Sequence, residues 1–287
     1  MEGLILPIIT PFKNGEIDFA SYRNLIEYYI PKGINGIIPL GTTGESPTIE
    51  EDEFEKMVEV TVEAVNGRIP VYIGKGGNST KKVIKSIKIL EKYKVDGILS
   101  VCPYYNKPGQ QGLFEHFKAL SESTFLNIVI YNIPYRTGVN LENETLLRLA
   151  GFKNIIGVKD SSGNIIQSLE LIYNKPEGFS VLTGEDNFFY NNLVNGGDGG
   201  ILASAHLNTE KFVDIYRLVM NNNHVEALKI WKDISQIIPF LFKEPNPAPV
   251  KYCLKKSGMI NSDEVRLPLT TISRELKDKL DSYIQLL

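Results

Sequence analysis

Short apolar runs rich in β-branched residues alternate with longer amphipathic stretches along this chain, and a sequence written that way has few folds open to it. Runs at 4–9, 36–40, 71–74, 97–101, 128–131, 155–159, 180–183 and 200–203 read as strands. They recur at intervals of roughly 20 to 35 residues, the length of a strand plus a crossover helix. Between them apolar side chains fall at helical spacing, as in Leu25, Tyr28 and Tyr29 or Val83, Ile84, Ile87 and Leu90, so each helix has one stripe to bury. Strands apolar on both faces need cover on both faces, which implies a parallel sheet. Eight such units close most simply into an α/β fold of the TIM (β/α)8 barrel type. A doubly wound open sheet is the alternative, weakened because no Gly-x-Gly-x-x-Gly or P-loop follows any strand.

Local signals agree with this reading. Gly33-Ile34-Asn35-Gly36-Ile37, Val95-Asp96-Gly97-Ile98 and Gly197-Asp198-Gly199-Gly200-Ile201 repeat one helix-to-strand joint. Ser46-Pro47, ahead of Glu50, Glu51 and Glu53, is expected to cap and open the helix after the second strand, and Asn78-Ser79-Thr80 the next. After residue 203 the pattern turns to helix alone, over 210–220, 224–242, 249–256 and 268–287. The expected division is a barrel over 1–222 and a small C-terminal helical region over 223–287, with Glu244-Pro245-Asn246-Pro247-Ala248-Pro249 as a rigid turn.

Composition narrows the function. A chain of 287 residues is long enough for one complete barrel. Lys and Arg number 31 against 34 Asp and Glu, a net charge of −3, so no basic field is present and no nucleic-acid partner is expected. Cys102 and Cys253 are too few for a disulfide framework and lie in no metal-finger spacing. The opening Met-Glu-Gly-Leu-Ile-Leu-Pro carries an acid where an export signal wants Lys or Arg, and no apolar run reaches the length of a membrane span. A cytoplasmic protein with no membrane partner is the expectation.

In such a barrel the reacting groups sit where strands end, and four of those ends are chemically loaded. They read Gly41-Thr42-Thr43-Gly44-Glu45, Cys102-Pro103-Tyr104-Tyr105-Asn106, Tyr131-Asn132-Ile133-Pro134-Tyr135-Arg136-Thr137-Gly138 and Lys159-Asp160-Ser161-Ser162-Gly163. Lys159 is the sharpest, because Ile155-Ile156-Gly157-Val158 deliver it straight from an apolar strand. Desolvation there lowers an amine's pKa and leaves the free base that attacks carbonyls. The alternative is a lysine that snorkels to solvent or pairs with Asp160. Tyr131 ends an equally apolar strand and can relay protons, or simply pack. The 41–45 loop offers hydroxyls and backbone N–H groups suited to a carboxylate. Arg136 can fork a substrate carboxylate or serve a surface ion pair. Cys102 reads as a small buried residue, and Tyr104 and Tyr105 as packing or interface aromatics. His116, His206 and His224 share no ligand spacing, so no metal site is expected, and no Gly-x-Ser-x-Gly elbow is present.

Taken together these loops resemble the N-acetylneuraminate lyase/dihydrodipicolinate synthase family of pyruvate-dependent class I aldolases. The likeness spans nearly the whole chain, from Leu6-Pro7 and Thr10-Pro11-Phe12 through the four loops to Glu244-Pro245-Asn246-Pro247 and Leu267-Pro268-Leu269. The resemblance implies that Lys159 forms a Schiff base with pyruvate, with no separate cofactor, and that Tyr131 relays protons. It further implies that Thr42 and Tyr105 complete a hydroxyl chain to solvent, Tyr105 entering from a neighbouring subunit. Thr43 is implied to hold the pyruvate carboxylate, with Gly184 and Ile201 lining the pocket by backbone. Arg136 is the family's mark of the synthase branch, where it binds the carboxylate of L-aspartate 4-semialdehyde, and Thr42 stands where the lyases tend to carry Ser. The implied reaction condenses pyruvate with that aldehyde to hydroxytetrahydrodipicolinate, the first committed step of diaminopimelate and lysine biosynthesis. The implied assembly is a homotetramer built as a dimer of dimers.

Two other readings stay open on sequence. One keeps the imine chemistry with another aldehyde, as in N-acetylneuraminate lyase or a sugar-acid aldolase; the other is a barrel that binds a keto acid without turnover. One departure from the family bears on regulation. Where lysine-inhibited members carry histidines and an acid around the effector, this chain has Glu51, Phe54 and Lys82, with Pro47 in place of a small residue. Ser46, Asn78 and Tyr104 are retained. A cation facing the effector's amine is repulsive, so lysine feedback is expected to be weak or absent.

Overall fold

The computed structural model describes residues 1–284 and contains the eight parallel strands. They are β1 (Gly3–Leu6), β2 (Gly36–Ile37), β3 (Tyr72–Gly74), β4 (Gly97–Val101), β5 (Asn127–Asn132), β6 (Ile155–Asp160), β7 (Ser180–Thr183) and β8 (Gly199–Ile201). Their hydrogen-bonded order is β2-β1-β8-β7-β6-β5-β4-β3. A parallel bridge from Ile37 to Val71, with Ile37 N–H donating to Pro70 O at 3.0 Å and Gly74 N–H to Pro39 O at 2.9 Å, joins the two ends into a ring. That closure excludes the open sheet.

Helices cross over between the strands: α1 (Phe19–Tyr29), α2 (Glu51–Val65), α3 (Thr80–Leu90), α4 (Gln110–Ser123), α5 (Asn143–Leu149), α6 (Ile165–Asn174), α7 (Phe189–Val194) and α8 (Thr209–Met220). Strand alternation splits the apolar residues into two layers. Ile5, Leu99, Val129, Tyr131, Leu182 and Ile201 fill the barrel interior, whereas Leu4, Leu6, Ile98, Ile128, Ile130, Val158 and Val181 face the helices. The buried stripe of α3, Val83, Ile87 and Leu90, packs in that outer layer.

Several boundaries differ from the sequence reading for identifiable reasons. The first strand stops before Pro7, which has no N–H to give a ladder, and the second stops short because Leu40 adopts φ 58°. Ser46-Pro47 opens a separate 3-10 turn, Ser46–Thr48, rather than α2. The helix itself starts at Glu51, where Glu53 reaches back to accept from Glu50 N–H at 2.9 Å. A hairpin that the strand pattern passed over pairs Phe12–Lys13 with Glu16–Ile17 around Asn14-Gly15, both at positive φ.

Beyond α8 the expected helix over 224–242 is broken. It runs as α9 (His224–Ile234), a 3-10 turn (Ser235–Ile237) and a single turn (Ile238–Leu241), because Pro239 removes the N–H that would continue it. α10 (Ala248–Lys256) follows the Pro-rich joint. The last helix, α11 (Arg274–Ile284), begins six residues later than the 268 start: Pro268 and the β-branched Thr270-Thr271-Ile272 disfavour helix, and Ser273 Oγ accepts from Leu276 N–H at 3.3 Å as a cap. The remainder of that expectation, 285–287, lies outside the described residues. Trp231 of α9 packs against Phe189 and Phe212, so these helices share the barrel's outer core. No described helix is long and apolar enough to cross a membrane.

Candidate active site

The register of the barrel strands puts one lysine in an apolar layer. Val101 pairs with Tyr131, Tyr131 with Lys159, and Lys159 with Leu182. Because side chains alternate along β6, Val158 points to the helices and Lys159 into the barrel mouth. Lys159 is 6% exposed, its Nζ 4.3 Å from the centre of the Tyr131 ring, and it forms no ion pair or hydrogen bond among the described residues. Burial pushes its amine down to about 8 from 10.5, partly opposed by the charge of Asp186. Asp160 is turned elsewhere: its carboxyl accepts from Ser162 N–H at 3.0 Å and from the Ser168 hydroxyl. The lysine is therefore neither snorkelling nor paired with its neighbour.

Close packing fixes that side chain. A Cβ on Gly184 would lie 2.5 Å from Lys159 Cε and 2.2 Å from Ser161 Oγ, so only glycine leaves the amine its place. Burial also holds the Tyr131 phenol well above its ordinary value, which keeps it protonated and able to pass a proton without ionising.

The loop after β2 forms the opposite wall. Thr43 Oγ1 accepts from Asn246 Nδ2 at 3.0 Å, which leaves its own proton to donate. The N–H groups of Thr42, Thr43 and Gly44 have no protein acceptor among the described residues. The loop is pinned at its end: Glu45, at φ 55°, forms a fully buried ion pair with Lys251 of α10 and accepts from Arg266 N–H at 3.0 Å. Burial lowers the Lys251 amine to about 8 against the pull of Glu45. Thr10 Oγ1 donates to Gly44 O at 2.8 Å.

These parts meet around one narrow chamber of about 20 Å³, lined by Thr42, Thr43, Tyr131, Arg136, Lys159, Gly184 and Ile201. Seven of the eight residues expected from the sequence thus converge, from five different strand ends. Tyr105 does not: it is 88% exposed at φ 72°, beside a surface cleft with Tyr104 and Tyr135. A cavity of about 400 Å³ runs from Thr42 and Tyr131 out to Tyr104. Arg136, on the single turn Pro134–Thr137, makes no ion pair among the described residues and lies 5.4 Å from the Tyr135 ring centre.

Among the residues that sequence reasoning did not assign to the site are Asn246, Phe242, Glu185 and Asp186, three of them in the chamber wall and Glu185 in the wider cleft beside it. The first two come from the C-terminal region and carry no local signal of a site. Glu185 and Asp186 directly follow β7, and the strand-end rule applied there would have found them. Asp186 is 5% exposed, and burial raises its carboxyl to about 6 although Ser204 donates to it from N–H at 2.7 Å and from Oγ at 2.6 Å.

A closed (β/α)8 barrel with an unpaired, desolvated lysine amine at a strand end, facing a bed of free N–H and hydroxyl donors, defines a class: enzymes that capture carbonyl compounds on lysine. Within that class the chain belongs to the dihydrodipicolinate synthetase family, whose model matches residues 1–287. It is 55% identical to 4-hydroxy-tetrahydrodipicolinate synthase 2 of Clostridium acetobutylicum, over 99% of each chain. The crystal structure of dihydrodipicolinate synthase from Thermotoga maritima superposes with a TM-score of 0.96 at 41% identity, covering 100% of this chain and 99% of that one. The Aquifex aeolicus enzyme gives 0.96 at 37% identity, covering 100% and 98%. The family expected from the sequence is the family found.

Proposed function

We propose that this chain condenses pyruvate with L-aspartate 4-semialdehyde through a Schiff base on Lys159, as a 4-hydroxy-tetrahydrodipicolinate synthase. The observation that carries the reading is the buried, unpaired Lys159 amine with its pKa brought down to about 8, locked against Gly184 beside Tyr131. Pyruvate enters with its carboxylate on the N–H groups of Thr42 and Thr43 and the Thr43 hydroxyl. Lys159 Nζ attacks the keto carbon, and loss of water gives the imine. Tyr131 passes protons during dehydration and during removal of a methyl proton, which yields an enamine. The enamine carbon then attacks the aldehyde of the second substrate, whose carboxylate is held by Arg136.

Thr42 and the cavity running to Tyr104 supply a route for protons to the surface. Tyr105 completes it only if it is the Tyr105 of a second copy, so the working form is at least a dimer. The exposed Ile165, Ile166 and Tyr173 of α6 offer a separate apolar face, which supports pairing of dimers into a tetramer. The cytoplasm, where pyruvate is made, is the proposed location.

The test is pyruvate-dependent turnover of L-aspartate 4-semialdehyde by the wild type and by Lys159→Ala, with borohydride trapping of the pyruvate adduct. Turnover with the adduct mapped to Lys159, both lost in the variant, is expected. An adduct without turnover moves the reading to another aldehyde, and no adduct overturns the mechanism.

A further inference from the structure

Behind the chamber, the residue two places after Lys159 carries a hydroxyl that the chemistry above does not use. Side chains alternate at the end of β6, so Ser161 falls on the same face as Lys159 while the Asp160 carboxyl turns to Ser162 and Ser168. Its backbone is fixed, its N–H donating at 2.8 Å to the carbonyl of Asn132, the residue that follows Tyr131. The Ser161 side chain is 0% exposed, and its Oγ has no hydrogen-bond partner of ordinary geometry among the described residues.

Two reacting groups stand next to that oxygen. The point at which a side chain on Gly184 would begin lies 2.2 Å from Ser161 Oγ and 2.5 Å from Lys159 Cε, so the hydroxyl sits beside the stem of the nucleophile. The Tyr131 phenol is close as well: burial raises its pKa, and Ser161, after the charge of Arg136, draws it back down. A buried hydroxyl without a partner is costly at rest. Its proton gains a strong acceptor when negative charge develops on an oxygen nearby. The Lys159 nitrogen is not that acceptor once its lone pair has gone into the imine. The phenol oxygen is, each time Tyr131 gives its proton away.

Resting on the reading above, we propose that Ser161 is a positioning residue for Tyr131, its hydroxyl donating to the phenol oxygen while the phenol proton moves. In dehydration that proton goes to the carbinolamine hydroxyl, the C–O bond breaks, and water leaves as the Lys159 nitrogen forms the C=N bond. The phenol oxygen then takes a proton from the pyruvate methyl carbon. The electron pair of that C–H bond becomes the enamine double bond, and the C=N electrons return to nitrogen. Ser161 keeps its own proton throughout, steadying the charge on the phenol oxygen and turning the phenol O–H towards the chamber.

The test is exchange of the pyruvate methyl protons in heavy water, followed by NMR without the second substrate, in the wild type, Ser161→Ala and Ser161→Thr. Ser161→Ala is expected to slow exchange about tenfold or more, the range for losing a hydrogen bond to a charged group. The equilibrium yield of borohydride-trapped adduct is expected to stay within about twofold, because an interaction made only while the proton moves does not shift the imine equilibrium. Tm is expected to hold or rise, since alanine leaves no buried hydroxyl without a partner. Ser161→Thr keeps the hydroxyl and is expected to exchange faster than Ser161→Ala. Unchanged exchange in Ser161→Ala, a folded Ser161→Thr that is no faster, or a loss of adduct yield or Tm that parallels the loss of exchange overturns the inference. A shift in the pH near 8 at which imine formation levels overturns it too, because the amine would then be the partner of Ser161. If the wild type forms no adduct or exchanges no methyl proton, the imine reading falls and this one with it; exchange that is indifferent to Ser161→Ala removes this one alone.

Discussion

Replacing Gly184 by alanine tests the site at its tightest point. The added methyl would sit 2.5 Å from Lys159 Cε, 2.9 Å from its Cγ and 2.2 Å from Ser161 Oγ. Relaxed carbon contacts lie at about 3.5–4.0 Å, so the lysine has to withdraw by roughly 1 Å. It has little room, with the Tyr131 ring against its amine and Leu182 beside it in the next strand. Overpacking of this kind costs about 1–3 kcal/mol, a Tm loss of about 2–10 °C, so the protein stays folded. Misplacing a reacting atom by about 1 Å costs about 100-fold in rate. The expected result for Gly184→Ala is therefore imine formation slowed about 100-fold in a folded protein, read by the rate of borohydride-trapped adduct alongside a melting curve. Adduct formation at the wild-type rate would refute the claim that glycine is required to seat the nucleophile.

Four further outcomes follow from the geometry. Imine formation needs the free amine, so with Lys159 at about 8 its rate at low pyruvate should climb about tenfold per pH unit below that value and level above it; a climb that continues towards pH 10 marks an unshifted lysine. The same shift has a stability side. Between about 8 and the ordinary lysine value the unfolded chain holds a proton that folded Lys159 has lost, so the contribution of this group to stability rises with pH across that window, as a pH series of denaturant midpoints can read. Lys251→Met strands Glu45 as a buried, unpaired charge and should cost about 3–5 kcal/mol and weaken pyruvate binding, with much of the stability returning in the double variant with Glu45→Gln; additive losses in urea melts would exclude coupling. Lysine at sub-millimolar concentration should leave turnover unchanged, since the cleft of about 480 Å³ lined by Ser46, Glu51, Phe54, Asn78, Lys82 and Tyr104 carries Lys82 where the resemblance implies an acid for the effector's amine; inhibition there contradicts that expectation.

What could be read from the sequence was what local rules control. Each of the eight strands came from its own apolar run, and Lys159 from the alternation that makes Val158 face outward. Residues whose position depends on distant packing were harder. Asn246 looks like part of a proline-stiffened turn, and nothing near it in the chain says that its amide will meet Thr43. The pairing of Glu45 with Lys251 is invisible for the same reason, since each residue alone reads as an ordinary surface charge. The broken helix after His224 was different, because Pro239 lay in plain view and outweighed an otherwise continuous apolar stripe. The Asn14-Gly15 hairpin was equally legible, but its strands are too short for a search built on longer apolar runs.

The way the ring closes has a consequence for motion. Neighbouring strands elsewhere share at least two register pairs, whereas β2 and β3 meet through a single bridge and a few flanking bonds. The loop that carries Thr42 and Thr43 leaves directly from this seam, so breathing of the barrel would loosen the proposed pyruvate-binding loop first. The buried Glu45–Lys251 pair then acts as a clasp, tying the far side of the seam to a helix that arrives from the end of the chain. Amide exchange at Ile37 and Gly74 would report whether the seam opens, and the presence of pyruvate should slow it.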